Sequence, residues 1–557
     1  MNKMSMVLPS KGDLFGGITA GIVALPLALA FGVQSGLGPA AGLYGAMILG
    51  FFAAWLGGTN TQISGPTGPM TVITAATVGS MAAAMGSIEV ALPAIIVCFI
   101  LAGIIQIGMG LVKLGGYIKY IPYPVISGFM SGIGMIIILL QIFPAFGLDS
   151  PKTTIDVIKS LPSLFQGMNV WATFYTIMTI VIIYLFPKIK TGIPSSLVGL
   201  IVISILATVL AYEVPIIGDV PKGLPVPQIN GWLTIPQDVW LLILNSAATL
   251  AALGAIDSLL TSVVADNLTR TRHDSNKELI GQGIGNAISG LFGGIPGAGA
   301  TMRTLVNVRS GGKTRASGMI HGLVLLVILV GVGQYAALIP KSVLAGILLT
   351  VGLSILDYKG VRHVFKVPKH DAIIMIIVFL VTVFLDLLVA VGIGMVMASI
   401  LFMIQLGKLM EDRTTLKSIE NAHPDDQKLV IKEIPKQHHH NILIDSLDGP
   451  LFFGYASAFQ KKFSKVPEVR FIILNMKKVP FVDQSGLYAM EEVILDTETK
   501  EADILLVGLQ KQPKARFMSI NVIPDLINEE HIFEDMESCI FFIKNHYLEK
   551  DKLNPEL

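Results

Sequence analysis

The sequence predicts a polytopic all-α membrane domain of fourteen spans followed by a small α/β domain, and three observations predict it. The 557 residues are 52% hydrophobic and only 14% charged, against about 25% charged in soluble proteins, so the chain lacks the polar residues to cover a water-facing surface. The charges divide unevenly: residues 1–410 carry 22 Lys+Arg and 14 Asp+Glu, and residues 411–557 carry 18 and 25. The first part is therefore net +8 and the second net −7. Apolar runs of roughly 20 residues, enough to cross a ~30 Å hydrocarbon layer, recur through the first part and end with it. Secreted disulfide scaffolds, collagen-like chains, disordered chains and nucleic-acid binders are excluded as descriptions of the whole. Cys98 and Cys539 fall in different domains and imply no disulfide framework. Lys3 and Lys11 flank a short polar start, and Gly16–Gly32 runs on into further apolar chain, so no cleavable signal peptide is expected.

In chain order, spans are expected at 14–33, 38–57, 89–112, 121–143, 170–187, 194–212, 239–263, 279–292, 316–338, 342–356, 371–386 and 388–409. The stretches 67–80 and 301–309 are too short or too broken by Gly and Pro to cross alone, and counting them as half-spans gives fourteen. Basic residues test the count through the positive-inside rule. Lys113/Lys119, Lys188/Lys190, Arg270/Arg272/Lys277, Arg309/Lys313/Arg315 and Arg362/Lys366/Lys369 all follow even-numbered spans. Both termini are accordingly expected in the cytoplasm, with the spans in the cell (inner) membrane.

A repeat supports the same architecture. Ile63-Ser-Gly-Pro-Thr-Gly-Pro-Met70 aligns with Ile295-Pro-Gly-Ala-Gly-Ala-Thr-Met302 at an offset of 232, and each follows a Gly-Gly pair. Seven spans per half is an odd number, so the two halves must be inverted relative to each other. Paired Gly/Pro-interrupted segments at equivalent positions of such halves point to a transporter's binding site, whereas the plainer reading is close helix packing at small residues.

Residues 411–440 read as a polar linker ending in His438-His439-His440, which has no acidic or cysteine partner and is read as solvated rather than metal-binding. Beyond it, strands are expected at Asn441–Ser446, Leu451–Phe453, Val469–Asn475 and Asp503–Val507. Helices are expected near Ala456–Ser464, Ser485–Asp496, Lys511–Ile520 and Asp535–His546. The three regions are thus 1–410, 411–440 and 441–557.

The half-spans carry the chemistry. A helix that begins in mid-membrane aims free backbone N–H groups and a positive dipole end at whatever precedes it. Two such ends facing each other form a cradle for a small anion without any cationic side chain. Thr67, Gly68 and Thr71 offer hydroxyls and close backbone approach at the first, and Ala300 and Thr301 at the second. Arg303, two residues further on, either adds attraction for the anion or snorkels to the cytoplasm. Asp257 lies inside its span with Thr261 one turn later on the same face, and a carboxylate there needs a proton, a cation or a basic partner. Together with backbone carbonyls of Gly297–Thr301 these are hard oxygens of the kind Na⁺ accepts; the alternatives are a salt bridge to Arg303 or a protonated carboxyl. Asp386, where one span ends and the next begins, reads as a cap. His321 has no evident partner. In Phe481-Val-Asp-Gln-Ser-Gly-Leu487, Asp483 is placed to cap a helix and Ser485 stands in its first turn, either as a phosphate acceptor or as plain capping.

The chain resembles the SulP family of anion transporters, and its last part resembles a STAS domain. The resemblance rests on Gly65-Pro-Thr-Gly-Pro-Met70, Asp257-Ser-Leu-Leu-Thr-Ser-Val-Val-Ala-Asp266, Thr271-Arg-His-Asp-Ser-Asn-Lys-Glu-Leu279, Gly281-Gln-Gly-Ile-Gly-Asn286, Phe292-Gly-Gly-Ile-Pro-Gly-Ala-Gly-Ala-Thr301 and Asp483-Gln-Ser-Gly486. It covers nearly the whole chain and is greatest to the Na⁺-dependent bicarbonate branch. It implies a core domain carrying substrate against a gate domain, anion contacts at Thr67, Ala300 and Thr301, and a Na⁺ site from Asp257, Thr261, Gly299, Ala300 and Thr301. It also implies a homodimer involving the STAS domain, and it aligns Ser485 with a known phospho-acceptor position. Arg303 resembles sulfate-, dicarboxylate- and chloride-handling relatives instead.

The expected function is therefore secondary active transport of a small inorganic anion, bicarbonate first and sulfate (or dicarboxylate) second. Na⁺ or a proton would couple at Asp257, and no other cofactor is expected. A STAS-linked anion sensor signalling to a soluble partner, and an uncoupled anion channel, are the readings from other classes. No nucleophile–base motif points to an enzyme.

Overall fold

The computed structural model describes residues 10–151, 153–189, 193–218, 224–364, 366–385, 387–413, 417–418, 430–464, 466 and 469–553. Asp386 and most of the linker lie outside the described residues. Two compact units divide the chain between Ala398 and Ser399.

The first unit is helical. Its elements are α1 (Lys11–Gln34), α2 (Pro39–Leu56), α3 (Gly68–Met85), α4 (Ile88–Leu111), α5 (Tyr123–Ala145), α6 (Thr154–Ser160), α7 (Val170–Leu185), α8 (Ser195–Leu210), α9 (Trp240–Thr269), α10 (Ser275–Leu291), α11 (Thr301–Arg309), α12 (Arg315–Val332), α13 (Lys341–Ile355), α14 (Tyr358–His363), α15 (Lys369–Phe384) and α16 (Leu387–Arg413). Leaving aside the short α6 and α14, a helix stands at each of the fourteen expected positions. Among the described residues, eight helices are long and apolar enough to cross a membrane by themselves. One of them is α3, which runs past the expected 80 because Met81-Ala-Ala-Ala-Met85 favours helix, until Gly86 ends it at φ +96°. The second counterpart, α11, stays at 9 residues.

Local chemistry fixes the helix starts. Ser10 and Asp13 form a capping box on α1, Ser87 caps α4, Asn169 caps α7 and Asp274 caps α10. Asp13 also accepts from the N–H groups of Lys313 and Thr314 at 2.8 Å, which ties the start of α1 to the turn after α11.

The packing is reciprocal between the two halves. Helix α1 packs on α11 and α12, and α9 packs on α3 and α4. Helix α2 packs on α12 as α10 does on α4, while α5 packs on α15 as α13 does on α7. Helices α2 and α10 meet each other, and so do α5 and α13. A two-fold relation between seven-helix halves gives this exchange of partners. It divides the unit into an eight-helix bundle (α1–α4 with α9–α12) and a second bundle built on α5, α7, α13 and α15. At the α5–α13 crossing a Cβ on Gly134 would stand 2.7 Å from the Gly352 carbonyl oxygen, and one on Gly352 3.0 Å from that of Gly134. The sequence carries a second repeat here that the Gly/Pro motif alone did not reveal. Ile121, Pro122, Val125, Gly128, Gly134 and Ile137 recur as Ile339, Pro340, Val343, Gly346, Gly352 and Ile355 at an offset of 218.

The second unit is a five-stranded sheet in the order β3-β4-β5-β6-β7 (Lys417–Ser418, Ile442–Asp448, Phe471–Lys478, Asp503–Val507, Ile532–Phe533). β4 to β7 are parallel, and β3 is antiparallel on β4. Helices α17 (Phe453–Phe463), α18 (Gln484–Glu498), α19 (Lys511–Ser519) and α20 (Met536–Leu553) cover it. Period-two alternation splits the strands between two cores: Leu443, Ile472 and Leu474 face Phe459, Phe463 and Met490, while Ile444, Phe471 and Ile473 face Cys539, Ile540 and Ile543. Met403, Leu406 and Met410 at the end of α16 join the first of these cores, which is why the compact unit begins ahead of the composition change near 410. The expected strand Leu451–Phe453 is not one. Leu451 makes a single bridge to Val482, and Phe453 opens α17 with its N–H on the Asp483 carboxylate at 3.0 Å. In the histidine run, His438 stacks on Tyr547 at 4.0 Å, and His439 Nε2 lies 2.9 Å from the Ile434 carbonyl oxygen.

In the middle of β4, Asp445 is fully buried and both its oxygens accept from Lys462 Nζ of α17 at 2.6 Å. Burial pushes the Asp445 carboxyl up from its ordinary value and the Lys462 amine down, each opposed by the partner's charge. Removing one partner leaves an uncompensated buried charge. Asp445→Ala is expected to destabilise this unit by roughly 3–5 kcal/mol, read as a lowered thermal unfolding midpoint of the unit. An Asp445→Ala, Lys462→Met double variant should recover most of the loss.

Candidate functional site

The two halves meet where α3 and α11 begin. β1 (Ser64–Gly65) and β2 (Ala298–Gly299) pair antiparallel, Ser64 opposite Gly299 and Gly65 opposite Ala298. The pairing holds the two helix starts side by side. It requires glycine, since a Cβ on Gly297 would overlap the Gly65 carbonyl and one on Gly299 the Gln62 side chain. Thr67 is the N-cap of α3 and Ala300 that of α11. Among the described residues, the first-turn N–H groups of Gly68, Thr301, Met302 and Arg303 have no protein acceptor. Thr301 and Met302 are exposed while Thr67 and Gly68 are buried, so the cradle opens on the α11 side. In front of Gly68 stand Ile137 of α5 and Ile355 of α13, each with Cδ1 2.8 Å from where a Cβ would lie. These two isoleucines are equivalent positions of the second repeat.

Asp257 projects from α9 into the same place at 8% exposure and accepts a hydrogen bond from Thr67 Oγ1 at 2.7 Å. One turn on, Thr261 Oγ1 donates to the Gly299 carbonyl at 2.9 Å and lies 2.8 Å from Thr301 Oγ1. Ser258 Oγ accepts the Gly299 N–H at 3.1 Å. Of the expected cation ligands, Thr261, Gly299 and Thr301 are joined by these bonds, and Asp257 stands one helical turn before Thr261 on α9, all of them hard oxygen donors. Ala300, between Gly299 and Thr301, donates its N–H to the Ile63 carbonyl and accepts the Thr304 N–H on its own carbonyl, both at 2.8 Å, which leaves that carbonyl a second lone pair. No group of three His, Cys, Asp or Glu side chains that could hold a metal ion occurs among the described residues.

Arg303 is 2% exposed, and its Nη2 donates to the Pro66 carbonyl rather than to Asp257. Thr71 spends its hydroxyl on the Thr67 carbonyl of its own helix at 2.8 Å. Ser485 is exposed in the first turn of α18, whose N-cap Asp483 takes the Gly486 N–H at 2.8 Å.

A supporting residue absent from the expected set is Glu278 of α10. It is buried and accepts from the N–H groups of Gly58 and Thr59 and from Gln62 Nε2 and Gln282 Nε2, all at 2.8 Å. Gln282 in turn donates to Ser64 Oγ at 2.6 Å, and Asn286 pairs with Gly297 through two bonds. These side chains hold both strands against α10. The signal was present, since Glu278, Gln282 and Asn286 recur at helical spacing inside two of the resemblance motifs.

The sulfate permease family matches residues 11–378, about two thirds of the chain. The chain belongs to this family. A STAS domain matches residues 433–539. The chain is 42% identical over 537 residues to the bicarbonate transporter BicA of Synechocystis sp., covering 95% of this chain and 93% of that one. It is 30% identical over 534 residues to the putative sulfate transporter YvdB of Bacillus subtilis, covering 94% and 96%. Among solved structures it is similar to the transmembrane domain of a cyanobacterial BicA at 47% identity and a TM-score of 0.65, covering 69% of this chain and 97% of that one. This family member is thus a multi-pass helical membrane protein with a STAS domain, and the β1–β2 site falls within the part that matches the permease family.

Proposed function

We propose that this protein takes up bicarbonate across the cell (inner) membrane in symport with Na⁺. The Thr67–Asp257 hydrogen bond carries the reading, because it joins the cap of the anion-facing helix to the carboxylate that would hold the cation. Na⁺ at Asp257, Thr261, Gly299 and Thr301 takes the place of the hydrogen bond that Thr67 donates to Asp257 and frees that hydroxyl to turn toward the anion. The anion then receives it together with the N–H groups of Gly68 and of the first turn of α11. Each ligand improves the other's site, which is what coupling requires. Elevator-like movement of the eight-helix bundle past Ile137 and Ile355 would expose the cradle to each side in turn. The termini and STAS domain are assigned to the cytoplasm by the basic loops, the assembly is a homodimer, and Ser485 is the point where phosphorylation or a soluble partner would act.

Sulfate is the second reading, supported by the Bacillus subtilis relative and by the positive charge of Arg303 beside the cradle. Uptake of radiolabelled bicarbonate and sulfate into proteoliposomes, with and without an inward Na⁺ gradient, separates the two. Bicarbonate uptake that needs Na⁺ is the expected result. Sulfate uptake driven by a proton gradient, or by neither cation, would transfer the function to the second reading and remove Na⁺ from Asp257.

A further inference from the structure

His321 of α12 has no role in the site described above, yet it is fully buried and neither ring nitrogen has a protein partner among the described residues. Arg303 presents a second unmatched group, since its Nη1 is buried and without an acceptor while Nη2 holds Pro66. His321 stands against Gly50 of α2 and Arg303 against Gly65 of β1, where these two elements meet. The positions where Gly50 and Gly65 lack side chains lie 2.8 Å from His321 Nδ1 and 2.6 Å from Arg303 Nη1, respectively. The Ser64 carbonyl lies 3.0 Å from the first position and the Ala46 Cα 3.2 Å from the second. Ala46 and Gly50 are one turn apart on α2, and Ser64 and Gly65 are consecutive in β1. One turn away on both helices the equivalent gap is closed directly, with Asn307 Nδ2 donating to Ser317 Oγ and to the Thr61 carbonyl at 2.8 Å.

Buried polar groups left unmatched cost more than the ordering of a water that satisfies them. A water in such a place needs two to four polar partners. A neutral imidazole always offers one acceptor nitrogen, while Arg303 offers only donors. We propose that His321 is a positioning residue for transport: through one bridging water it fixes Arg303, and Arg303 fixes the Pro66 carbonyl beside the Thr67 cap. The relay runs from α12 through Arg303 and Pro66 to Thr67 and Asp257, so it sets where the anion's first ligand stands. This inference rests on the function proposed above.

His321→Leu, close in size but without acceptors, is compared with His321→Gln, which keeps one. In Na⁺-driven proteoliposome uptake, His321→Leu is expected to raise the half-saturating bicarbonate concentration about tenfold, the loss of one hydrogen bond to a charged group. Its maximal rate per monodisperse transporter should be unchanged, and His321→Gln should stay within about twofold of the parent. A high-resolution cryo-EM map of the parent should show one water between His321 and Arg303. Unchanged half-saturation in His321→Leu, equal loss of maximal rate in both variants, or a dry gap in the map would each overturn the inference. A parent protein that takes up no bicarbonate would instead overturn the proposed function, and the map would then decide the relay alone.

Discussion

Asp257→Asn is expected to lower Na⁺-driven uptake by at least about a hundredfold while the transporter folds normally. Asparagine is close to isosteric and its amide oxygen still accepts from Thr67 Oγ1, so the 2.7 Å hydrogen bond and the start of α3 are kept. What is lost is the charge. A unit charge and a cation about 4 Å apart attract by about 4 kcal/mol at an effective dielectric of 20, roughly a thousandfold in affinity. Thr261 Oγ1, Thr301 Oγ1 and the Gly299 carbonyl remain, but three neutral oxygens that already bond one another hold Na⁺ weakly. Arg303 makes no hydrogen bond to Asp257, its Nη2 being on the Pro66 carbonyl. The measurement is initial uptake against Na⁺ concentration, with monodispersity and thermal midpoint as the folding control. Full uptake in Asp257→Asn would sink the coupling mechanism. Uptake that persists but follows voltage and ignores the Na⁺ gradient would mark the protein as an uncoupled channel.

The membrane character, the fourteen helical positions and the paired helix starts were legible in the sequence, because apolar length and Gly/Pro interruption are local signals. Asp257 and Thr261 were legible for the same reason: one turn of helix places them together. What the pattern did not give are the partners. Thr67 reaches Asp257 across 190 positions, and Glu278 reaches Gly58 across 220, and no periodicity encodes such pairs. The second repeat is not evident because Ile121-Pro122 opens one expected span while Ile339-Pro340 falls between two, and Gly134 and Gly352 look like packing residues until each carbonyl is seen against the other's missing side chain. Gly68 and Pro69 suggest a break, yet Pro in the first turn favours helix initiation, and the run Met81-Ala-Ala-Ala-Met85 carries α3 past the expected 80 to Gly86. Leu451–Phe453 has the composition of a strand, but Asp483 captures the Phe453 N–H and starts a helix there instead.

Gly297→Ala tests whether the antiparallel bridge, rather than side-chain chemistry alone, makes the site. The added methyl group would meet the Gly65 carbonyl and stand 2.6 Å from Pro66 N. All these are backbone atoms, so no flexible side chain can yield. Asn286 grips Gly297 by both its N–H and its carbonyl, which blocks retreat toward α10. The strain must then be relieved by moving Gly65 and Pro66. Pro66 precedes the α3 cap and Ser64 pairs with Gly299, so both the Thr67 hydroxyl and the Gly299 carbonyl shift together. A displacement of about 1 Å at a positioned reacting or binding group costs about a hundredfold in rate. Uptake in Gly297→Ala should fall by about that factor, and Na⁺ and bicarbonate half-saturation should worsen together, because one strand pair serves both sites. Gly79→Ala is the matched control: α3 leaves open space beside that position and the same methyl group meets nothing within 4 Å. Equal uptake in the two variants would mean that the helix starts are held by the surrounding helices and that the β1–β2 pairing is incidental. A selective loss of one ligand's affinity in Gly297→Ala would separate the cation and anion sites that the Thr67–Asp257 bond joins.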